Sequence, residues 1–202
     1  MLVEVPKPSQ TSIVFLDTSV LTRYLVGGIE LRGVSGTLEK NMREFVLQFK
    51  QRGIVLRITP TIRSQLKYAR DIIRRSAMEN DVSPGAYAEF EAKMKKRLAD
   101  LEQRLMEVAS NVSLFVKVNE FYEAHKTKAD LMTCRQKKED KTPIPEESDR
   151  LILAEVANYP EAYFLVADCD FFTVDEEIAK TFRIFVLSQE NMNRVMQKWG
   201  WI

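Results

Sequence analysis

The fold is decided by the stretch Ile13-Val14-Phe15-Leu16-Asp17-Thr18-Ser19-Val20-Leu21. Residues 13–16 form a continuous apolar run, which is typical of a strand that is buried on both of its faces. Asp17 follows this run directly, and a helix is predicted to begin near Ser19. A buried strand that leads straight into a helix favours a parallel sheet with helices packed on both faces.

Further apolar runs along the chain predict the other strands of this sheet. They lie at 54–58, 163–167 and 182–187, and a weaker run lies at 112–118. Helical patterns separate the runs, and the last of them spans Gln189 to Trp199. This alternation predicts an α/β fold, a three-layer αβα sandwich around a central parallel sheet of four or five strands.

Two helices that follow the run at 54–58 are predicted to form a hairpin. Thr59-Pro60 supplies an N-cap and a first helical residue for a helix through about Ala77. Ser83-Pro84 repeats this arrangement, and apolar residues then recur at spacings of three and four as far as Val108. The chain is therefore expected to be a single domain, 1–202, that carries a long helical hairpin insertion at about 66–110.

Composition narrows the class of protein. The chain has 202 residues, of which 45% are apolar, so it can bury a full core and is not a disordered protein. Its net charge of +1 differs from that of a strongly basic nucleic-acid binder, but it permits a local basic face. No apolar stretch approaches the ~20 residues of a membrane span and no signal peptide is visible, so we expect a cytoplasmic protein.

The cysteines and the histidine disfavour several kinds of site. Cys134 and Cys169 give neither a disulfide framework nor a zinc spacing. The single histidine, His125, lies in a polar stretch and is expected to be a solvated surface residue. Ser-His-Asp and Cys-His catalysis would both depend on this histidine, so the sequence favours carboxylate or metal chemistry.

Aspartates follow two of the predicted strands. Asp17 follows the first strand, and Asp168 and Asp170 follow the run at 163–167. Ligands bind at the carboxyl ends of the strands in open α/β sheets. In an extended backbone Asp168 and Asp170 face the same way, and like charges so close favour a bound cation. The structural alternatives are a helix cap at Asp17 and an acidic turn after the later strand.

Asp149 adds a third acidic position. It shares a predicted helix face with Ile152 and Leu153, where a carboxylate is costly unless it is paired or coordinated. Favourable placement in the first turn of the helix is the alternative. Between residues 145 and 177 the chain has ten acidic residues and one basic residue, Arg150. Oxygen ligands of this kind suit Mg²⁺ or Mn²⁺.

Three short blocks resemble the PIN-domain family, which includes the VapC-type toxins of prokaryotes. They are Phe15-Leu16-Asp17-Thr18-Ser19-Val20-Leu21, Asp149-Arg150-Leu151-Ile152-Leu153-Ala154 and Leu165-Val166-Ala167-Asp168-Cys169-Asp170-Phe171. Their order and spacing fit the family across most of the chain. The resemblance implies a PIN-like fold and a metal-dependent endoribonuclease, either toxin-like or active in RNA processing.

The resemblance also implies roles for individual residues. Asp17, Asp149 and Asp168 would hold Mg²⁺ or Mn²⁺ with support from Asp170, and Thr18 or Ser19 would orient a ligand or a phosphate. Basic side chains near the acidic cleft would steer the RNA, although an ordinary solvated face is the alternative for each of them. The candidates are Arg63, Lys67, Arg70, Arg74 and Arg75 on one helix, and Lys137, Lys138 and Lys141 in a basic loop at 126–145.

One position departs from the family pattern. Gln65 stands where the family has a glutamate, and an amide cannot neutralise a cation. This departure predicts weaker metal binding, one metal instead of two, or lost activity. It favours the alternative that the chain is an inactive PIN-like protein with a role in RNA binding or assembly. A phosphatase of the haloacid-dehalogenase type is disfavoured because position 19 is serine. A homodimer through the helical hairpin and an antitoxin-like protein partner stay open.

Overall fold

The computed structural model describes residues 4–26, 37–79, 82–103, 105–127, 145–167 and 169–202. Within these ranges the chain forms five strands and nine helices. The strands are β1 (Val14–Leu16), β2 (Leu56–Ile58), β3 (Leu105–Glu107), β4 (Tyr163–Val166) and β5 (Phe185–Ser188). The helices are α1 (Thr18–Val26), α2 (Thr37–Gln51), α3 (Pro60–Glu79), α4 (Pro84–Glu102), α5 (Phe115–His125), α6 (Glu147–Val156), α7 (Cys169–Phe172), α8 (Asp175–Phe182) and α9 (Gln189–Trp199).

The five strands form one parallel sheet with the order β3-β2-β1-β4-β5. β1 is the central strand, and its Phe15 pairs in register with Arg57 of β2 and Phe164 of β4. All three residues of β1 and all four of β4 are buried, as the continuous apolar runs predicted. The predicted α/β class and parallel sheet are confirmed, and the architecture is consistent with a PIN-like sandwich.

Aromatic contacts show that helices pack on both faces of the sheet. On one face Phe164 of β4 meets Phe171 of α7, with the ring centroids 5.0 Å apart. On the opposite face Tyr163 meets Trp199 of α9, with the centroids 6.0 Å apart. Successive side chains of a strand point to opposite faces, so these two neighbours anchor different helical layers. Trp199 also contacts Phe49 of α2, which joins α2 to the same layer.

The predicted starts of α3 and α4 are confirmed. The hydroxyl oxygen of Thr59 accepts the backbone N–H of Ile62 at 3.3 Å, and the hydroxyl oxygen of Ser83 accepts that of Ala86 at 3.3 Å. Both contacts satisfy a backbone donor that a helix leaves without a partner in its first turn. The predicted strands at 13–16, 54–58, 163–167 and 182–187 and the final helix are also found, with boundaries shifted by a few residues at most.

The third strand and the end of α4 differ from the prediction. The helix that begins at Pro84 ends at Glu102 and does not continue to Val108, and the edge strand β3 follows within the span assigned to the hairpin. The weak run at 112–118 is not a strand but a turn and the first residues of α5. A strand of three residues is too short to show a period of two, so its apolar residues fitted the helical spacing equally well.

His125 is half-buried, so the prediction of a solvated residue is wrong. Its ring packs against the ring of Phe121 with the centroids 4.5 Å apart, and its Nδ1 lies 2.7 Å from the backbone oxygen of the same residue. The side chain therefore completes the last turn of α5. Among the described residues, no helix combines the length and the apolar character that crossing a membrane requires.

Candidate functional site

The strand order creates one topological switch point, between β1 and β4. β2 and β3 follow β1 in the chain and lie on one side of it within the sheet. The chain then crosses back, so that β4 and β5 lie on the other side of β1. A crevice forms outside the carboxyl ends of the strands at such a point, and ligands bind there in open α/β sheets. Among the described residues, five polar side chains are buried, and four of them, Asp17, Thr59, Asp170 and Ser188, lie at or shortly after strand ends on this edge. The fifth, Glu155, lies in α6.

Asp17 is held between the two strands of the switch point. Its side chain is only 4% exposed, and its backbone N–H donates to the carbonyl of Leu165 at 2.9 Å. Its carboxylate accepts the N–H of Ser19 at 3.1 Å and also the Ser19 hydroxyl. Asp17 therefore caps α1, as the structural alternative proposed. A carboxylate has about four lone-pair sites, so capping leaves acceptor capacity for a cation.

Ser19 joins the end of β1 to the end of β4. Its Oγ donates to the carboxylate of Asp17 and accepts the backbone N–H of Ala167 at 3.2 Å. Asp17 is thereby brought beside the segment that leads from β4 into α7. Ser19 positions the carboxylate of Asp17, and its predicted role in orienting a ligand or a phosphate stays a prediction.

Asp170 lies in α7 and is 1% exposed. The prediction of an extended backbone at this position is wrong, because a helix begins at Cys169. Asp168 lies outside the described residues, as does the side chain of Cys169, so the expected approach of Asp168 and Asp170 stays a prediction. Tyr122 of α5 donates its hydroxyl to the backbone oxygen of Asp170 at 3.1 Å, which fixes this short helix against α5.

Tyr122 connects two of the predicted acids electrostatically. Burial raises the pKa of its phenol well above 10, and the negative charges of Asp170 and Asp149 add to the rise. The guanidinium of Arg150 acts in the opposite direction. Both carboxylates thus lie within electrostatic reach of one buried hydroxyl. The sequence analysis did not single out Tyr122, because an aromatic residue in an amphipathic helix looks like ordinary core.

Asp149 occupies the first turn of α6 and is half-buried. Its carboxylate accepts the backbone N–H of Glu146 at 3.3 Å, and the side chain of Glu146 in turn accepts the backbone N–H of Asp149. The two residues therefore form a capping box, in agreement with the alternative that Asp149 is placed favourably in the first turn of its helix. The adjacent Arg150 donates to the side-chain oxygen of Asn119 at 3.3 Å and ties α6 to α5.

Gln65 lies beside the start of α1. Its side-chain oxygen accepts the hydroxyl of Thr18, the residue that follows Asp17. Gln65, which stands where the family pattern has an acid, is therefore next to the N-terminus of α1. Its side-chain amide is hydrogen-bonded within the protein. A glutamate here would add a negative charge close to Asp17.

The donor set of this edge fits a divalent cation in part. Asp17 and Asp170 offer hard carboxylate oxygens of the kind that Mg²⁺ and Mn²⁺ prefer. Among the described residues, which exclude Asp168, no group of three acidic, histidine or cysteine side chains is placed to hold a metal ion. A complete site would need the carboxylate of Asp168 or a rearrangement of the acids that are described.

The predicted RNA-binding residues differ in what the structure says of them. Arg63 forms an ion pair with Glu107 at the end of β3, so a phosphate would have to compete with that carboxylate. Arg74 is exposed on α3. The side chains of Lys67, Arg70 and Arg75 lie outside the described residues, as do Cys134, Lys137, Lys138 and Lys141.

Comparisons of this chain with models of known families, with curated proteins and with solved structures find no match.

Proposed function

We propose that this protein is a metal-dependent endoribonuclease that hydrolyses RNA phosphodiester bonds and belongs with the PIN-type nucleases. The observation that carries this proposal is the burial of Asp17 directly after β1 and of Asp170 in the helix that follows β4, the two strands that flank the switch point. Ligands bind at the carboxyl ends of the strands in open α/β sheets, and carboxylate oxygens are the ligands that Mg²⁺ and Mn²⁺ prefer. The carboxylate of Asp17 keeps acceptor capacity beside its hydrogen bonds from Ser19.

The chain's own residues have separate roles in this proposal. A bound Mg²⁺ or Mn²⁺ supplies a water of lowered pKa and offsets the charge of the attacked phosphate. Asp17, Asp149, Asp168 and Asp170 would hold the ion, and no covalent protein intermediate would be needed. Ser19 keeps the carboxylate of Asp17 in place through its hydroxyl. RNA approaches the acidic crevice along basic side chains.

A second candidate function is an inactive PIN-like protein that binds RNA or serves in assembly. The hydrogen bond between Thr18 and Gln65 favours it, because the amide at the family's acidic position is used to join α1 and α3. An amide adds no negative charge to the site. This candidate retains RNA binding and loses the chemistry.

RNA cleavage by variants with one altered acid tests the first candidate. Purified protein is incubated with an RNA that has single-stranded and paired regions, in Mg²⁺, Mn²⁺ or EDTA. Asp17→Asn and Asp170→Asn preserve side-chain size and remove the negative charge. Asp100→Asn is the matched control, because Asp100 is an exposed aspartate that forms an ion pair with Lys50. It does not belong to the segments that carry the candidate acids.

We expect the wild type to cleave the RNA with either metal and not in EDTA. Both site variants should cleave at least about tenfold more slowly, which is the lower range for disturbed metal sites. Asp100→Asn should cleave like the wild type. Absence of cleavage under every condition, or equal cleavage by all variants, would overturn the nuclease. If the protein then still binds the RNA, the second candidate takes its place.

A further inference from the structure

Two arginines from different helices lie together against the last turn of α1. Arg97 of α4 donates through Nη1 to the backbone oxygen of Leu25 at 2.8 Å. Arg43 of α2 lies over the ring of Tyr24, the preceding residue of α1, with its Cζ 5.9 Å from the ring centroid. Tyr24 is buried, so its ring is a fixed support for Arg43. The two side chains are therefore held at adjacent residues of one helix.

The positive charges of these two arginines act on each other. Burial lowers the pKa of the Arg97 guanidinium below its ordinary value, and the charge of Arg43 lowers it further, whereas Tyr24 acts in the opposite direction. Like charges so close raise the free energy of the folded protein unless an anion offsets them. The arrangement thus favours an anion beside both guanidinium groups.

Arg43 is not committed to a carboxylate. Within the part of the chain that the structure describes, it forms no ion pair and no hydrogen bond, in contrast to Arg63, which pairs with Glu107. Its Nε is buried without a partner, and the side chain as a whole is half-buried. A cation that loses water and gains no partner is costly. Because the side chain is still reached from solvent, a ligand can supply this partner.

The chemistry of the two side chains fits a phosphate group. A guanidinium presents planar donors that match phosphate oxygens, and partial exclusion from water strengthens its attraction to an anion. α1 begins directly after Asp17 and carries Tyr24 in its last turn, about 10 Å further along the helix axis. One RNA strand can therefore contact this place and the candidate site together.

We propose that Arg43 and Arg97 form a subsite for a phosphate group of the RNA backbone beside the last turn of α1. Arg43 binds the phosphate oxygens, and Arg97, which is held by Leu25, adds a second positive charge. The subsite positions the strand and recognises no base. The inference deepens the proposed ribonuclease function and rests on it for RNA as the source of the phosphate.

Binding of a labelled single-stranded RNA in EDTA tests the subsite without any dependence on metal or cleavage. Fluorescence anisotropy is measured at several salt concentrations for the wild type, Arg43→Gln, Arg43→Lys and Arg97→Gln. Arg194→Gln is the matched control, because Arg194 is an exposed arginine of α9 that also forms no ion pair with the described residues. In a second arm, melting temperatures are measured with and without inorganic phosphate.

We expect Arg43→Gln to weaken RNA binding by about tenfold or more at low salt, the lower range for a lost hydrogen bond between charged groups. The dependence of the binding constant on salt, on logarithmic scales, should become shallower by about 0.7, the value for one phosphate contact in a single strand. Arg43→Lys should keep the wild-type slope and lose part of the affinity, since an ammonium lacks the planar fork. Arg194→Gln should match the wild type.

Inorganic phosphate should raise the melting temperature less in Arg43→Gln than in the wild type and Arg194→Gln, because a ligand of the native state stabilises it. Without phosphate, Arg43→Gln should melt at the wild-type temperature or higher, because it removes a positive charge beside Arg97. Arg97→Gln should bind RNA more weakly and also melt at a lower temperature, since it loses the hydrogen bond to Leu25.

Equal RNA affinity and equal salt dependence in Arg43→Gln and the wild type would overturn the subsite, as would a wild type that binds no RNA. If Arg43→Gln melts at a lower temperature and binds RNA unchanged, Arg43 is structural only and the proposal fails. An effect of Arg43 on phosphate binding but not on RNA binding would overturn the RNA backbone as the ligand in favour of free phosphate. Loss of RNA binding in Arg43→Gln, in a protein that never cleaves RNA, would overturn the nuclease and leave the subsite standing.

Discussion

At the scale of single residues, the site depends on a hydroxyl that joins two strands. Ser19 donates to Asp17 and accepts from Ala167, a residue 148 positions later in the chain. The sequence pattern marked the acid and its neighbours, but it could not show this contact, because only the fold brings positions so far apart together. Tyr122 was missed for the same reason, since its partner Asp170 lies 48 positions away.

Ser19→Ala should lower the free energy of unfolding by about 1–3 kcal/mol, because it removes a partner from a buried carboxylate and from a backbone N–H. Urea unfolding measures the change as a shift of the midpoint at constant slope. Ser9→Ala is the matched control, since Ser9 also makes hydrogen bonds but is exposed. Equal midpoints for Ser19→Ala and Ser9→Ala would contradict the joining role of Ser19.

Gln65→Glu should strengthen metal binding, because a second carboxylate near Asp17 favours a cation. A ligand that binds the native state raises the melting temperature, and at a given ligand concentration the rise is larger when the affinity is higher. The rise produced by Mn²⁺ should therefore be larger in Gln65→Glu than in the wild type. Gln65→Ala, which loses the hydrogen bond from Thr18 without adding charge, is the control. A metal-induced rise that is the same in all three proteins would refute the assigned position of Gln65.

At the scale of elements, helix caps lie where the strands end. Ser188 ends β5 and caps α9, where its hydroxyl oxygen accepts the N–H of Asn191 at 3.4 Å and the Asn191 side chain accepts the N–H of Ser188 at 3.0 Å. The capping signals of α3 and α4 were readable from Thr59-Pro60 and Ser83-Pro84 because they are local. The short strand β3 was not readable, because its place is set by pairing with β2.

Ser188→Ala should destabilise the protein by about 0.5–2 kcal/mol, the usual cost of a lost N-cap. For a chain of this size, about 1 kcal/mol corresponds to a melting temperature lower by roughly 2–4 °C. Ser83→Ala removes a cap of the same chemistry from α4, whose start is exposed, and should cost less. Calorimetry of both variants measures the difference. A larger effect at Ser83 would contradict the buried capping role of Ser188.

At the scale of the whole molecule, burial of tyrosines sets a limit on alkaline stability. Burial raises the pKa of Tyr163 from 10.0 to about 12, and the charge of Glu161 adds to the rise. Above pH 10 the unfolded chain loses this proton while the folded chain retains it up to about pH 12. The unfolded state then binds fewer protons, so stability falls as the pH rises through this window.

Tyr163→Phe should make the free energy of unfolding less dependent on pH between 10 and 12, because the titrating group is gone. The variant should also be somewhat less stable at neutral pH, since the Tyr163 hydroxyl donates to the carbonyl of Pro6 at 2.9 Å. Tyr68→Phe is the matched control, because it removes a phenol that is exposed in the folded protein. If the free energy of unfolding depends on pH in the same way in Tyr163→Phe and the wild type, another group determines its pH dependence between pH 10 and 12.

The parallel sheet and the position of the acids after two of its strands followed from the sequence in outline. Apolar runs predicted four of the strands, and the aspartates directly after two of them predicted the edge at which a ligand would bind. The position of Asp170 in a helix did not follow, because four residues of α7 carry too little periodicity to distinguish a helical turn from an extended segment. The strand order that creates the switch point came from the structure alone.

We propose that carboxylates at the switch point between β1 and β4 hold a divalent cation. The decisive measurement is a titration of the purified protein with Mn²⁺, followed by electron paramagnetic resonance of the free ion. The wild type and Asp100→Asn should bind Mn²⁺ stoichiometrically, and Asp17→Asn and Asp170→Asn should lose this binding. No bound Mn²⁺ in the wild type, or the same binding in all four proteins, would contradict it.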